Sequence, residues 1–228
     1  MTVAYDVIVR GNNLALRDGF LGLANITLVF SADGPLLFDT GHHGNRPALL
    51  AGLARHGLGP ADVKAVFLSH LHFDHCNNID LFPRAKVMVG RREWDYAAAP
   101  HADDLFVPSM VREQLAKHDL ELIEGEGRVG EGIRTLAVPG HTPGSYALAL
   151  ETGARGRVVL AGDAVKYVKE ALAGRPDAAF GGEEAGGASI ARILALADRI
   201  VPGHFPELEK TDSGWIWDET AELPLIVR

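Results

Sequence analysis

Ten residues, 66–75, constrain this chain more than any others: Val-Phe-Leu-Ser-His-Leu-His-Phe-Asp-His. Ala65, Val66, Phe67 and Leu68 open the stretch as a short apolar run, the mark of a buried strand. It closes with His70, His72, Asp74 and His75 inside six residues. Residues two apart in extended chain share a face, so His70 and His72 point the same way. Asp74 and His75 reach the same place only through a turn, and this spacing favours two metal sites over one. Imidazole and carboxylate are the usual donors for hydrolytic zinc. Packing four such groups together without a cation would be costly. His141, Asp163 and His204 each stand where a strand is expected to end, and they add three donors.

Length and composition narrow the setting. With 228 residues and no visible linker, one domain spanning 1–228 is expected. Hydrophobic residues make up 47% and charged residues 23%, as in a soluble globular chain. The net charge of -8 argues against gripping nucleic-acid backbones, which need clustered Lys and Arg. Cys76 is the single cysteine, so no intramolecular disulfide forms, and a small buried residue is expected there. No apolar run approaches the ~20 residues that span a bilayer. The first residues do not resemble a signal peptide. A cytoplasmic protein without membrane partners is expected.

Along the chain, residues 3–9 read as an edge strand. Residues 25–30 and 36–38 form a hairpin across the turn residues 31–35. Asp39 at its exit is expected to support the metal loop through hydrogen bonds, and His42 and His43 fall near the mouth of any site built there. A helix is expected over 45–56, with Leu49, Leu50 and Leu53 on one face. Further strands are expected at 86–89, 120–123, 133–138, 146–150 and 158–160, with helices at 91–98 and 109–117. Phe106, Val107 and Met110 are candidates to line a pocket. Residues 173–187 read as a glycine-rich loop, after which Ser189 caps a helix carrying Ile190, Ile193, Leu194 and Ala197 on one face. Trp215 and Trp217 are expected to pack on the body or on a second subunit. Strands and helices without a regular βαβ repeat fit an α/β (α+β) fold of two mixed sheets packed face to face with helices outside.

The H-x-H-x-D-H stretch does not stand alone. Leu36-Leu37-Phe38-Asp39-Thr40-Gly41 precedes it. Val138-Pro139-Gly140-His141-Thr142-Pro143-Gly144, Leu160-Ala161-Gly162-Asp163-Ala164 and Val201-Pro202-Gly203-His204 follow in order. Together these five motifs resemble the metallo-β-lactamase fold superfamily of hydrolases, over residues 36–206. The compact lactonase-like members, including acyl-homoserine lactonases, look most similar.

The resemblance implies an αββα sandwich holding two divalent metal ions, most simply Zn2+, with Mn2+ or Fe2+ as other occupants. His70, His72 and His141 would hold one ion, Asp74, His75 and His204 the other, and Asp163 would bridge them. A metal-bridging hydroxide would attack a small ester, lactone or thioester, and Asp74 would pass a proton to the leaving oxygen. The family also carries the expectation of a homodimer. Lactonase-like enzymes place a tyrosine three residues after this Asp to contact substrate. Here that offset holds Lys166, with Tyr167 one further on, and either residue can take the role. A true zinc β-lactamase has cysteine where Asp163 stands, which argues against antibiotic hydrolysis. A phosphodiester hydrolase, a mononuclear iron sulfur dioxygenase and a non-enzymatic metal-binding module are the competing readings of the same donors.

Overall fold

Two sheets face each other, and the strands that build them alternate their side chains between the shared interior and the outer layers. The computed structural model describes residues 2–220. Strand β1 (Ala4–Val9) is followed by a small hairpin, β2 (Ala15–Leu16) and β3 (Gly19–Phe20). Strands β4 (Ile26–Ser31), β5 (Gly34–Phe38), β6 (Ala65–Leu68), β7 (Lys86–Gly90) and β8 (Asp119–Ile123) complete the first sheet, in the order β1-β4-β5-β6-β7-β8. β1, β4 and β5 pair antiparallel, and β5 through β8 pair parallel. The second sheet holds β9 (Arg128–Gly130), β10 (Ile133–Ala137), β11 (Tyr146–Glu151), β12 (Arg157–Gly162), β13 (Arg199–Pro202), β14 (Leu208–Thr211) and β15 (Gly214–Trp217). Its order is β15-β14-β13-β12-β11-β10-β9, with only β12 and β13 parallel.

Successive residues of a strand point to opposite faces. Val29, Leu36, Phe38 and Phe67 therefore face the second sheet and pack with Tyr146, Leu148, Val158 and Leu160. Their neighbours Leu28, Leu37, Val66 and Leu68 face outward, against Leu49 and Leu53 of α1 (Arg46–Arg55). Strands covered on both faces are apolar throughout, which is why 65–68 reads as a continuous run. The outer face of the second sheet is covered by α5 (Val168–Ala173) and α6 (Glu183–Leu196), through Ala171, Ile190 and Ile193. This is the expected αββα sandwich. Beside α1 over the first sheet, α2 (Phe73–Cys76), α3 (Arg91–Tyr96) and α4 (Val111–Leu115) are short. Among the described residues, no helix is long and apolar enough to cross a membrane.

Three local expectations are corrected. Leu50 is 38% exposed while Leu49 and Leu53 are buried, so the apolar face of α1 is narrower than its leucines suggest. Met110 is largely exposed. The helix expected to begin at Ser189 begins at Glu183, and Ser189 sits buried inside it, donating to the Pro139 carbonyl at 2.7 Å. Gly186 and Gly187 suggested a loop, but Gly186 serves a close approach. A Cβ added to Gly140 would lie 2.2 Å from the Gly186 Cα, so Gly140 lets the loop carrying His141 press against α6, while a Cβ at Gly186 would lie 2.6 Å from Pro176 Cγ. Trp215 and Trp217 pack partly buried against the outer core of the second sheet, with Trp217 edge-on to Phe205. Cys76 is buried, as expected.

Candidate metal centre

Four strand ends converge at one edge of the sandwich, and each delivers donors there. His70 and His72 follow β6, and α2 supplies the turn that carries Asp74 and His75. His141 follows β10, Asp163 follows β12, and His204 follows β13. All seven side chains are buried. Donor atoms of His70, His72 and His141 lie within 4.8 Å of one another, as do those of Asp74, His75 and His204. Asp163 stands between the groups. Its Oδ1 is 3.3 Å from both His75 Nε2 and His204 Nε2, and its Oδ2 is 3.4 Å from His141 Nε2. Gly203 makes room for this carboxylate, because a Cβ there would lie 1.9 Å from Asp163 Oδ1.

The outer nitrogens of the imidazoles decide what the inner ones offer. His75 Nδ1 donates to Asp39 Oδ2 at 2.7 Å, and His204 Nδ1 to the Asn12 carbonyl at 3.0 Å. His72 Nε2 donates to Asp104 Oδ2 at 3.0 Å, and His141 Nδ1 reaches the Ala178 carbonyl at 3.4 Å. A proton on each outer nitrogen leaves a lone pair on the inner one. His72 Nδ1 and His141 Nε2 lie 3.0 Å apart, a contact that either a shared proton or a cation beside them satisfies. His70 Nε2, His75 Nε2, His204 Nε2 and Asp163 Oδ1 are buried without a hydrogen-bond partner. Leaving such atoms unmet costs about 1–3 kcal/mol each. The donor set therefore fits divalent cation binding.

Electrostatics agree with that fit. Burial, then the neighbouring His75, His72 and His141, hold His70 well below the ordinary imidazole range. Burial also drives His141 down to about 3 despite the pull of Asp163. Both rings thus keep free lone pairs. Burial would raise Asp74 and Asp163, yet adjacent cationic groups win. His75 and His204 hold Asp74 down to about 2, and His204, Lys166 and His75 hold Asp163 well below the usual carboxylate range.

Two supporting carboxylates flank the donors. Asp39, expected at the exit of β5, accepts from Ser69 N at 2.7 Å and Ser69 Oγ at 2.8 Å as well as from His75. It adopts φ 62°, a left-handed conformation that Asp tolerates better than most residues. Glu93, which sequence reasoning missed, is fully buried and joins two donor loops. It accepts from Leu71 N at 2.9 Å, Thr142 Oγ1 at 2.6 Å and Gly144 N at 3.2 Å. Burial pushes its carboxyl up even against these donors. Glu93→Ala strands three donors, so about 3 kcal/mol or more of stability is expected to be lost in urea unfolding.

The two candidates for substrate contact sit differently beside the donors. Lys166 Nζ lies 3.4 Å from Asp163 Oδ2 and 5.0 Å from the centre of the Phe20 ring. Tyr167 lines a cleft of about 790 Å³ that His204 also lines, with Tyr5, Arg10, Asn12 and Trp217. His42 packs edge-on against Phe73, and His43 pairs with Arg46 and Asn78 at the surface. Phe106 reaches the His72 ring at 5.6 Å, while Val107 packs into the first core. Phe20, Asp104 and Glu93 carried no sequence signal, since each meets the site from a distant segment.

Comparison with known proteins accords with this geometry. The chain is 34% identical over 189 residues to the human Metallo-beta-lactamase domain-containing protein 1, covering 81% of this chain and 63% of that protein. It is 35% identical over 163 residues to an N-acyl homoserine lactonase of Bacillus sp, covering 69% of this chain and 62% of that one. The chain thus spans a little under two thirds of the length of both. A solved quorum-quenching N-acyl homoserine lactone hydrolase superposes with a TM-score of 0.72 at 27% identity, over 90% of this chain and 93% of that one. The family match, to the Metallo-beta-lactamase superfamily, runs over residues 19–204 and takes in every donor of the cluster. The chain belongs to the metallo-beta-lactamase superfamily.

Proposed function

We propose that this protein is a dinuclear metal-dependent hydrolase of a small ester, lactone or thioester. One observation carries the reading: buried donors whose inward atoms lack hydrogen-bond partners gather on both sides of the single carboxylate Asp163. His70, His72 and His141 would hold one ion, Asp74, His75 and His204 the other, and Asp163 would give an oxygen to each. Zinc suits three or four nitrogen and oxygen donors per ion, and manganese or iron(II) are the competing occupants. When bound, such ions supply hydroxide at neutral pH and polarise the scissile carbonyl.

The chain's own residues do the rest. Asp74, held ionised and next to His204, accepts a proton from the nucleophile and returns it to the leaving oxygen. Lys166 places a cation beside the reacting carbonyl, where negative charge develops. Phe106 and Phe180 pack edge-on or tilted against His72 and keep one side of the cluster dry. The Bacillus relatives' printed name makes N-acyl homoserine lactones the first substrates to try.

The test is metal analysis of the purified protein, then chelation and re-addition of zinc with assay on lactones, esters and thioesters. About two ions per chain and restored turnover are expected. One iron per chain with oxygen uptake on persulfides, or no metal-dependent turnover on the panel, would overturn the proposal. Lys166→Met should keep both ions and lose roughly 100-fold in kcat/KM, as removal of one oxyanion donor does.

A further inference from the structure

The segment 97–110, between α3 and α4, contains no helix or strand, yet its centre is pinned to the donor cluster by one carboxylate. The Asp104 side chain is wholly buried. Its Oδ2 accepts from His72 Nε2 at 3.0 Å and from the Tyr96 hydroxyl at 2.7 Å. Its Oδ1 accepts from Phe106 N at 3.1 Å. The Phe106 carbonyl accepts from Phe73 N at 2.9 Å, and the Phe106 ring lies against His72. The adjoining Leu105 is 83% exposed. Around Asp104, then, the segment is held by polar bonds that converge on a single imidazole.

We propose that Asp104 is a positioning residue that couples metal binding at the His70, His72 and His141 group to closure of the 97–110 segment. This rests on the metal-centre reading above. For His72 to offer Nδ1 to a cation, the proton must sit on Nε2, and an acceptor carboxylate there fixes both tautomer and ring orientation. Tyr96 on α3 anchors that carboxylate from behind. Without a cation, one proton must lie between His72 Nδ1 and His141 Nε2, 3.0 Å apart. When His72 supplies that proton from Nε2, its bond to Asp104 is lost, whereas a cation there keeps the proton on Nε2 and the bond intact. Binding free energies are reciprocal, so whatever loosens the segment weakens the metal by the same factor. The cation would thereby draw Phe106 over the site, and closure would retain the cation.

The experiment titrates metal-free protein with zinc against a chromophoric chelator, and follows hydrogen exchange at the Phe73 and Phe106 amides with and without zinc. It compares wild type, Asp104→Asn and Asp104→Ala. In Asp104→Ala one zinc equivalent should weaken about 10–100-fold while the other shifts less than about threefold. Zinc should slow exchange of both amides in wild type, and that protection should vanish in Asp104→Ala. Asp104→Asn keeps the volume and an acceptor oxygen but not the charge, so it should give a smaller loss in the same equivalent. It also carries the test if the alanine variant fails to fold. Unchanged affinity of both equivalents in the variants, or equal loss in both, would overturn the proposal and leave Asp104 a structural residue. So would a wild-type segment whose exchange ignores zinc. A wild-type protein that binds no zinc would overturn the metal centre itself, and a chelator competition on wild type alone reveals that case.

Discussion

Asp163→Ala is expected to leave no more than one ion per chain and to lower kcat/KM roughly 10³-fold. Asp163 alone offers an oxygen to each donor group, and its Oδ1 has no other hydrogen-bond partner. Loss of a carboxylate supporting a ligand typically costs about 10–100-fold, and loss of the ligand itself should cost more. A deficit of about 4 kcal/mol in charge stabilisation at about 1.36 kcal/mol per tenfold gives the figure. The substitution also leaves Lys166 without its acidic neighbour, 3.4 Å away. Metal analysis beside kinetics on the lactone panel checks the prediction. Two retained ions with turnover within about tenfold of wild type would show that the cluster is not the reactive centre.

Chelation should destabilise the fold strongly, and more at higher pH. With free zinc a thousandfold above Kd, each bound ion adds about 4 kcal/mol, or about 8 for two. At about 2–4 °C per kcal/mol for a chain of this size, the melting temperature should fall by on the order of 15–30 °C. The pH dependence follows from His75 and His204. Burial opposes a proton on either ring. Asp163, Asp39 and Asp74 outweigh it for His75, and Asp163 and Asp74 for His204, so both lie above the usual imidazole range in the metal-free fold. Groups with raised folded pKa values stabilise fully below the unfolded value of about 6.5, and that stabilisation is lost as pH rises through the folded value. Metal must also displace those protons, so zinc affinity rises with pH. The gap between zinc-loaded and chelated melting temperatures should therefore widen from about pH 6 to about pH 8. Melting curves at several pH values check this, and a gap that narrows would contradict the pairing of His75 and His204 with these carboxylates.

The donors themselves were legible in the linear sequence. His70, His72, Asp74 and His75 sit in one short stretch, and His141, Asp163 and His204 each follow an apolar run whose strand character is local. Asp39 was legible for the same reason. The layering followed from strands and helices without a regular βαβ repeat, and the family resemblance implied the αββα sandwich. Local pattern misjudged α6, because Gly186 and Gly187 look like loop residues until Pro176 and the Gly174 carbonyl are packed against them.

What the sequence by itself determined, then, is the set of donors and the sheets that carry them, because ligand chemistry and strand periodicity act over a few residues. The tertiary structure alone decided how those donors are held and covered. It set Lys166 against Asp163 and turned Tyr167 into a cleft that His204 also lines. It brought Phe20 against His204, Asp104 against His72, and Glu93 across the loops of Leu71 and Thr142. These contacts join residues 22 to 184 positions apart in the chain. A hydrogen bond or ring contact has no periodicity to betray it, and only chain closure in three dimensions places its two halves together.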